Sequence, residues 1–396
     1  MSDTQKHNKP NVPNLRFPEF SGEWERKRFG ECCEGFDYGM NAASKPYDGV
    51  NGYIRITDID EDTSTFKKEG IVSPDAEIDE NYRVAENNIL FARTGASTGK
   101  TYLYKPEDGK LYFAGFLIRA KVSSEYDSRF LFYQTQTKQY KKWVQIMSMR
   151  SGQPGINSQE YASFSLNIPQ ISEQNRIASL LELIDQRIVT QNKVIEDLKK
   201  LKAALCELLY DEDEPNYLIG EVIEQISFRN RKSDSLIVLS VNNQLGFIEQ
   251  TEQFENHTVA SQDTSNYKIV SLDDFAYNPA RINVGSIARL KIAPKGIVSP
   301  MYICFRCKQG TLPDYLESFF DTDYFYLEME KRLEGSVRMC LSFEGLCNIP
   351  IYIPDLQEQK RIGRKIQLLK DKINLEESVY KQLSIQKHIL LSQLFI

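Results

Sequence analysis

The sequence predicts an α+β chain: two mixed α/β domains in tandem pseudo-repeat, separated and joined by two long helices that pair as a coiled coil. Three observations predict it. The first is a self-match with a period of 185 residues. "NIPQISEQNRIASLLELIDQRI" (167–188) lies on "YIPDLQEQKRIGRKIQLLKDKI" (352–373), so that Pro169, Glu173, Gln174 and Arg176 recur as Pro354, Glu358, Gln359 and Arg361. The second is a seam of apolar residues at alternating spacings of three and four within each copy of that segment. The third is the mixture, between the helices, of short β runs ("GYIRI", "TYLYK", "LIVLSV", "MYICFRC") with helical runs such as "SRFLFYQTQTKQYKKWV" and "LESFFDTDYFYLEMEKRL".

In order along the chain, residues 1–23 form an N-terminal segment with no apolar core of the kind a secretory signal needs. Residues 24–169 are the first globular domain. A central helix occupies 170–213 and carries the seam Ile177, Leu181, Ile184, Ile188, Ile195, Leu198, Leu205 and Leu209. Residues 214–354 are the second domain. A C-terminal helix occupies 355–396, with the seam Ile362, Ile366, Leu369, Ile373, Tyr380, Leu383, Leu390 and Leu394. Both seams break at matched depths, at Gln191 and Lys202 and at Glu376 and Lys387. One narrow stripe per helix suits pairing with the other, and polar seam residues fix register. Gln191 and Glu376 lie near the helix midpoints, so parallel and antiparallel pairing both remain open. Proline and an early glutamate mark each helix start. The repeat extends through the globular parts: "IRITD" (54–58) on "LSVNN" (239–243), "ILFAR" (89–93) on "DFAYN" (274–278), and, with a small shift, "FGE" (29–31) on "IGE" (219–221).

Composition bounds the function. The chain has 396 residues, room for two or three domains at about 150 residues each. No run of about 18 apolar residues predicts a membrane span. Seven irregularly spaced cysteines predict a reducing, cytoplasmic location rather than a disulfide framework. The net charge of −6 does not advertise a nucleic-acid partner, but the local charge does. From Arg93 to Arg150, eleven Lys/Arg face four Asp/Glu, interleaved with tyrosines and Trp143, the footprint of a nucleic-acid surface.

Catalytic signatures fail on inspection. "FARTGASTGKTYLY" (91–104) looks like a phosphate-binding loop, yet Gly95 and Gly99 have three residues between them where the motif needs four. The adjoining "TYLYK" alternates like a strand and opens no helix. "NPAR" (278–281) lacks the second proline and the aromatic of amino-methylating enzymes. "PDLQEQK" (354–360) looks like a nuclease motif, but its sister copy reads "PQISEQN". His7, His257 and His388 are too scattered for a triad, and Cys304 and Cys307 have no second pair to complete a zinc site.

The N-terminal "VPNLRFPEFSGEW" (12–24), "RTGASTGK", the "SGQPGIN" and "GSVRMCLSFEGL" segments before the helices, and the duplicated "IP…EQ.RI" resemble, in order and duplication, the specificity subunit of Type I restriction–modification enzymes over essentially the full length. That resemblance implies two target-recognition domains, each reading half of a split double-stranded DNA site. It implies paired helices that serve as spacer and dock two methyltransferase subunits, with two restriction (motor-nuclease) subunits outside. It implies no catalytic centre, metal or cofactor on this chain, with S-adenosylmethionine, ATP and Mg2+ on the partners, and a role in DNA modification and bacterial defence. Alternatives are a modification-only adenine methyltransferase assembly, a scaffold that binds no DNA, and a P-loop-like NTPase. Candidate DNA contacts in the first domain are Tyr38, Lys45, Arg93, Thr94, Ser97, Thr98, Lys100, Arg150 and Gln153, loop residues suited to phosphates and base edges. Those in the second are Arg229, Asn243, Asn278, Arg281, Asn283, Ser336 and Arg338.

Overall fold

A computed structural model of the chain describes residues 11–61, 63–149, 155–210, 214–231, 235–243, 245–250, 264–335 and 338–396. It divides into two compact units. One comprises residues 1–192 with 379–396, the other residues 193–378. Each unit therefore owns one globular domain, half of the central helix Ile171–Tyr210 and half of the C-terminal helix Leu356–Leu394.

Each domain has its own four-stranded sheet, and the two sheets have the same strand order. In the first, the order is Cys33–Tyr38, Leu117–Val122, Asn88–Ala92 and Thr101–Leu103. In the second it is Ile223–Ile226, Ile303–Cys307, Phe275–Tyr277 and Ile287–Arg289. All neighbours are antiparallel. A parallel pair also recurs, Ile54 opposite Phe113 and Leu239 opposite Val298, which is the 185-residue period in three dimensions. The offset is not uniform. The registers Phe91↔Ile118 and Tyr277↔Ile303 show that strand 88–92 matches 275–277 at 186 residues. The ungapped alignment of "ILFAR" on "DFAYN" is therefore corrected by one residue. A one-residue slip sends every side chain to the other face. With the corrected offset Ile89 and Phe91 fall on Phe275 and Tyr277, and both pairs sit in the cores against the long helices.

Small details repeat as well. The turns Phe29–Cys32 and Ile219–Val222 are each closed by a glutamate reaching back, Glu31 to the Arg28 amide and Glu221 to the Leu218 amide. Gly30 and Gly220 in those turns lie where a Cβ would come within 2.9 Å of Ala162 and 2.8 Å of Cys347, residues that are themselves one period apart. Both positions therefore require glycine for close packing.

Each unit shows the two long helices antiparallel, the orientation the sequence left open. In the first, Ile177, Ala178 and Leu181 share a core with Leu391, Leu394 and Phe395, and Lys387 pairs with Asp185 at 2.7 Å. In the second, Lys199 pairs with Glu377 at 2.6 Å. Ile188, Ile195, Ile362, Ile366, Ile373 and Leu383 are buried, and Ile184, Gln191, Leu198, Leu369 and Glu376 are half-buried. Near the C-terminal end of each helix the seam rotates by one position: Cys206 and Leu391 are buried, while Leu205 and Leu390 are only half-buried. A 3.6-residue turn drifts against a 3.5-residue repeat, which accounts for the rotation.

The motif "EQ" has a structural job in both copies. Gln174, buried, donates to the Pro169 carbonyl at 2.9 Å and accepts from the Asp127 amide at 3.1 Å. Gln359 donates to the Pro354 carbonyl at 2.8 Å and accepts from the Leu312 amide at 2.8 Å. Asp127 and Leu312 are the N-caps of helices Ser128–Gln134 and Pro313–Phe319, so each glutamine ties a long helix to its own domain. The N-terminal motif has a role too. Arg16 forms a bidentate pair with the buried Glu173 at 2.8 and 2.7 Å, the Trp24 indole donates to the same carboxylate, and the Leu15 amide donates to the Gln393 carbonyl at 3.0 Å.

Cys304 and Cys307 lie on one strand, three residues apart and so on opposite faces. Burial pushes both thiols up to about 12. They are strand thiols rather than metal ligands. Among the described residues no group of His, Cys, Asp and Glu is arranged to hold a metal ion, and no helix is long and apolar enough to cross a membrane.

Candidate nucleic-acid interface

In the first domain, strands 33–38, 88–92 and 117–122 bring Tyr38, Arg93 and Phe116 to one end of the sheet. The Arg93 amide donates to the Phe116 carbonyl at 3.0 Å, and its own carbonyl accepts from Ile156 at 2.9 Å. Thr94 bridges to Gly155. The Arg93 guanidinium lies over the Tyr38 ring, 4.9 Å from its centroid. The Ser158 hydroxyl and amide donate to the Tyr38 hydroxyl at 3.1 and 3.3 Å. The hydroxyl bond first, then the amide and the Arg93 charge, hold that phenol below its ordinary value against the opposing effect of burial. The result is a fixed cation on an exposed aromatic face, chemistry suited to a phosphate beside a base. Lys45 is exposed on the ribbon Ala43–Pro46, which pairs with Val72–Asp75. Arg150 and Gln153 lie outside the described residues.

The loop that looks like a phosphate cradle is a hairpin between strands 88–92 and 101–103, with a short turn at Gly95–Ser97. Its amides are engaged within it: Thr98 donates to Gly95, Gly99 to Ala92 and Lys100 to Ser97. The Thr98 hydroxyl also bonds the Gly95 carbonyl. A Cβ at Gly99 would run into Val144. Thr98 and Lys100 face a cleft of about 1180 Å³ in the first unit. Three of the cations lining it are matched by carboxylates, Lys100 with Glu61 at 3.1 Å, Arg129 with Glu182 at 2.8 Å and Lys387 with Asp185 at 2.7 Å. This hairpin has none of the strand–loop–helix geometry that holds a nucleotide phosphate.

The basic, aromatic window of 93–150 resolves differently from its sequence footprint. Tyr102, Tyr112, Tyr133 and Tyr140 are core residues. Arg119 is buried, bonded to Asp37 at 2.6 Å and to the carbonyls of Arg83 and Asn81. Lys121 also pairs with Asp37, and Lys110 with Glu80, both at 2.9 Å. Burial pushes the Asp37 carboxyl up, but the hydrogen bonds from Arg119 and Lys121 outweigh it and hold it below the usual range. The acids that neutralise the window come from outside it, which is why a local count overstated the patch. Arg93 is half-buried, and among the described residues of the window the exposed cations are Lys138, Lys141 and Lys142 on helix Lys138–Ser148, whose Tyr140 faces the core.

In the second domain the equivalent sheet end gathers other residues. Asn278 is buried, and its carboxamide oxygen accepts from the Ala280 amide at 3.1 Å, so it braces the turn and does not project from it. Arg281 and Asn283 are exposed on the short turn Ile282–Val284, closed by Gly285 at φ 88°. A Cβ on Gly285 would lie 3.5 Å from the carbonyl of Asn243, so the 243 and 282–285 turns adjoin. Arg338 is exposed on a hairpin closed by the Glu334–Cys340 bridge, and the Leu341 amide donates to Pro279 at 3.0 Å. Arg229 donates to the Asn266 side chain at 2.9 Å. Ser336 lies outside the described residues. Sequence reasoning missed Phe116 and Met301, both highly exposed. Apolar residues next to strands read as core, and only their shared offset of 185 singled them out.

Comparison with known proteins fits this duplicated arrangement. The family model "Type I restriction modification DNA specificity domain" matches residues 22–200 and again 219–384. Among curated relatives, the Type I restriction enzyme MjaVIII specificity subunit of Methanocaldococcus jannaschii is 22% identical over 98% of this chain and 95% of its own length. The putative type I restriction enzyme MjaX specificity subunit of the same organism is 23% identical over 98% and 97%. Among solved structures, the S subunit of the Type-I restriction-modification system from M. genitalium superposes with a TM-score of 0.64 at 15% identity, covering 97% of this chain and 99% of that one. A chain from work on complex assembly and conformational transition of the type I R-M system gives 0.51 at 15% identity, over 94% and 97%. With both copies of the repeat matched by that family model, the chain belongs to the Type I restriction–modification DNA specificity family, as a non-catalytic specificity subunit with two recognition domains.

Proposed function

We propose that the two domains each read one half of a bipartite double-stranded DNA target, separated by base pairs that are not read. The observation that carries this reading is the contrast within the repeat. The sheet order, the glutamine locks and the paired helices are the same in both copies, whereas the residues at the matching sheet ends differ: Tyr38 and Arg93 in one, Arg281, Asn283 and Arg338 in the other. Identical scaffolds suit identical partners, and diverged ends suit different base sequences. On this reading the long helices dock two methyltransferase subunits, with two restriction subunits outside them. Adenine methylation and cleavage, with S-adenosylmethionine, ATP and Mg2+, reside on those partners in the cytoplasm.

The test is to map methylated adenines in the host genome with and without this gene. A split motif that disappears with the gene supports the reading; an unchanged methylation map refutes it. A gel-shift titration of the partnered complex against salt separates it from a scaffold, because phosphate contacts make affinity fall steeply with salt.

A further inference from the structure

Phe116 and Met301 occupy the same place in the two domains, 185 residues apart. Each stands on a tight turn that enters the second strand of the sheet. The turns are closed alike, Leu117 amide to Ala114 carbonyl at 2.8 Å and Tyr302 amide to Ser299 carbonyl at 3.1 Å. The flanking residues are buried, Phe113 and Leu117 on one side and Val298 and Tyr302 on the other, yet Phe116 is 61% and Met301 56% exposed. A single exposed apolar side chain is ordinary. Two at matched positions, in segments that otherwise share almost no sequence, are not. A fixed cation attends each turn. Arg93, stacked on Tyr38, donates its amide to the Phe116 carbonyl. The Lys268 ammonium donates to the Tyr302 carbonyl at 2.6 Å.

Resting on the DNA-reading function above, we propose that Phe116 and Met301 are paired apolar wedges, each pressed against a base step at its own half-site. Three features fit a wedge. The turn is rigid, because its neighbours are core. The side chain is one of the types that unstack base steps, a list that includes both Phe and Met. The neighbouring cation meets the phosphate of the same step while the apolar group meets the base. Phe116 supplies a flat ring that stacks; Met301 supplies a flexible thioether that fits an opened step.

The experiment uses the full chain assembled with its methyltransferase partner and duplexes carrying the mapped target, with 2-aminopurine placed at steps in and beside each half-site. The wild type raises 2-aminopurine fluorescence at one step per half-site. Phe116→Ala abolishes the rise at the first half-site, keeps it at the second, and weakens binding roughly 5- to 150-fold; Met301→Ala does the converse; Phe116→Tyr retains both signals. The melting temperature of each variant stays close to that of the wild type, because more than half of each residue is exposed. Wild-type affinity and fluorescence in Phe116→Ala would overturn the wedge. So would a loss of assembly with the partner at unchanged DNA affinity, which would make the turn a protein contact. A wild-type complex that selects no sequence at all refutes the DNA reading itself, and the wedge with it.

Discussion

At the scale of single residues, the duplicated motif is a pair of hydrogen-bond locks more than a helix-start signal. Gln174 joins the Pro169 carbonyl to the Asp127 amide, and Gln359 does the same for Pro354 and Leu312. Replacing Gln174 with leucine keeps the volume and strands two buried polar groups. Each costs about 1–3 kcal/mol, so urea unfolding of Gln174→Leu should lose roughly 2–6 kcal/mol while the methylated motif stays the same. A motif change with unaltered stability would move Gln174 from the scaffold to the reading surface. Arg16→Met strands Glu173, which has Arg16 on both oxygens and Trp24 on one. The expected cost is about 3–5 kcal/mol, measurable as a lowered midpoint, and a wild-type midpoint would refute the pairing. The recurrence of these residues was legible in the sequence, but their task was not. Asp127 precedes Gln174 by 47 positions, and no local rule connects them. The same limit hid Phe116, which differs from the buried Phe113 only in which way the turn aims it.

At the scale of elements, the helices were read from their seams, and their pairing direction came from charge. Lys202 and Lys387, legible only as seam interruptions, are the cations that settle the packing. Lys387 bonds Asp185 at 2.7 Å beside the Tyr133 ring, and Lys202 bonds Asp321 at 3.1 Å, where Lys370 also arrives at 2.9 Å. Burial works to raise the Asp321 carboxyl, and Lys370 and Lys202 outweigh it and hold it below the usual range. The acid sits on the long helix in one unit and on the domain in the other, so no repeat-based reading could assign it. The strands were legible as runs, but their offset was not, because a one-residue slip in strand 88–92 leaves little trace in sequence identity. The helices also carry a length prediction. One extra turn in each helix, inserted after Gln191 and after Glu376, adds about 5.4 Å, or one to two base pairs at about 3.4 Å each. Methylation mapping should then show a gap longer by that amount between unchanged half-sites. Altered bases within an unaltered gap would mean that the helices do not set the spacing.

At the scale of the whole molecule, the duplication predicts what half of it will do. A chain ending after Asp211 keeps the first domain and the central helix but loses residues 379–396, which complete the first unit. In that unit Leu391, Leu394 and Phe395 share a core with Ile177 and Leu181. Removing them exposes large apolar side chains, each worth about 1.5–3 kcal/mol when buried. The central helix of a second copy offers the missing surface at the 185-residue offset. Lys202 of the copy falls where Lys387 meets Asp185 and Tyr133, Cys206 falls on Leu391, and Leu209 falls on Leu394. The Leu15 amide bonds a backbone carbonyl, that of Gln393, a contact that any residue can supply. Two half-chains should therefore close into an antiparallel, two-fold pair through residues 171–210. Cys206 fills less space than Leu391, so the pair should be looser than the intact chain. With partner subunits it should methylate an inverted repeat of the first half-site. Sedimentation of the 1–211 fragment at tens of micromolar tests the pairing: a monomer refutes it. Asp185→Lys should dissociate the dimer by setting two cations together, and adding Lys202→Asp should restore it by reversing the pair. A dimer indifferent to both changes would have to close through some other face.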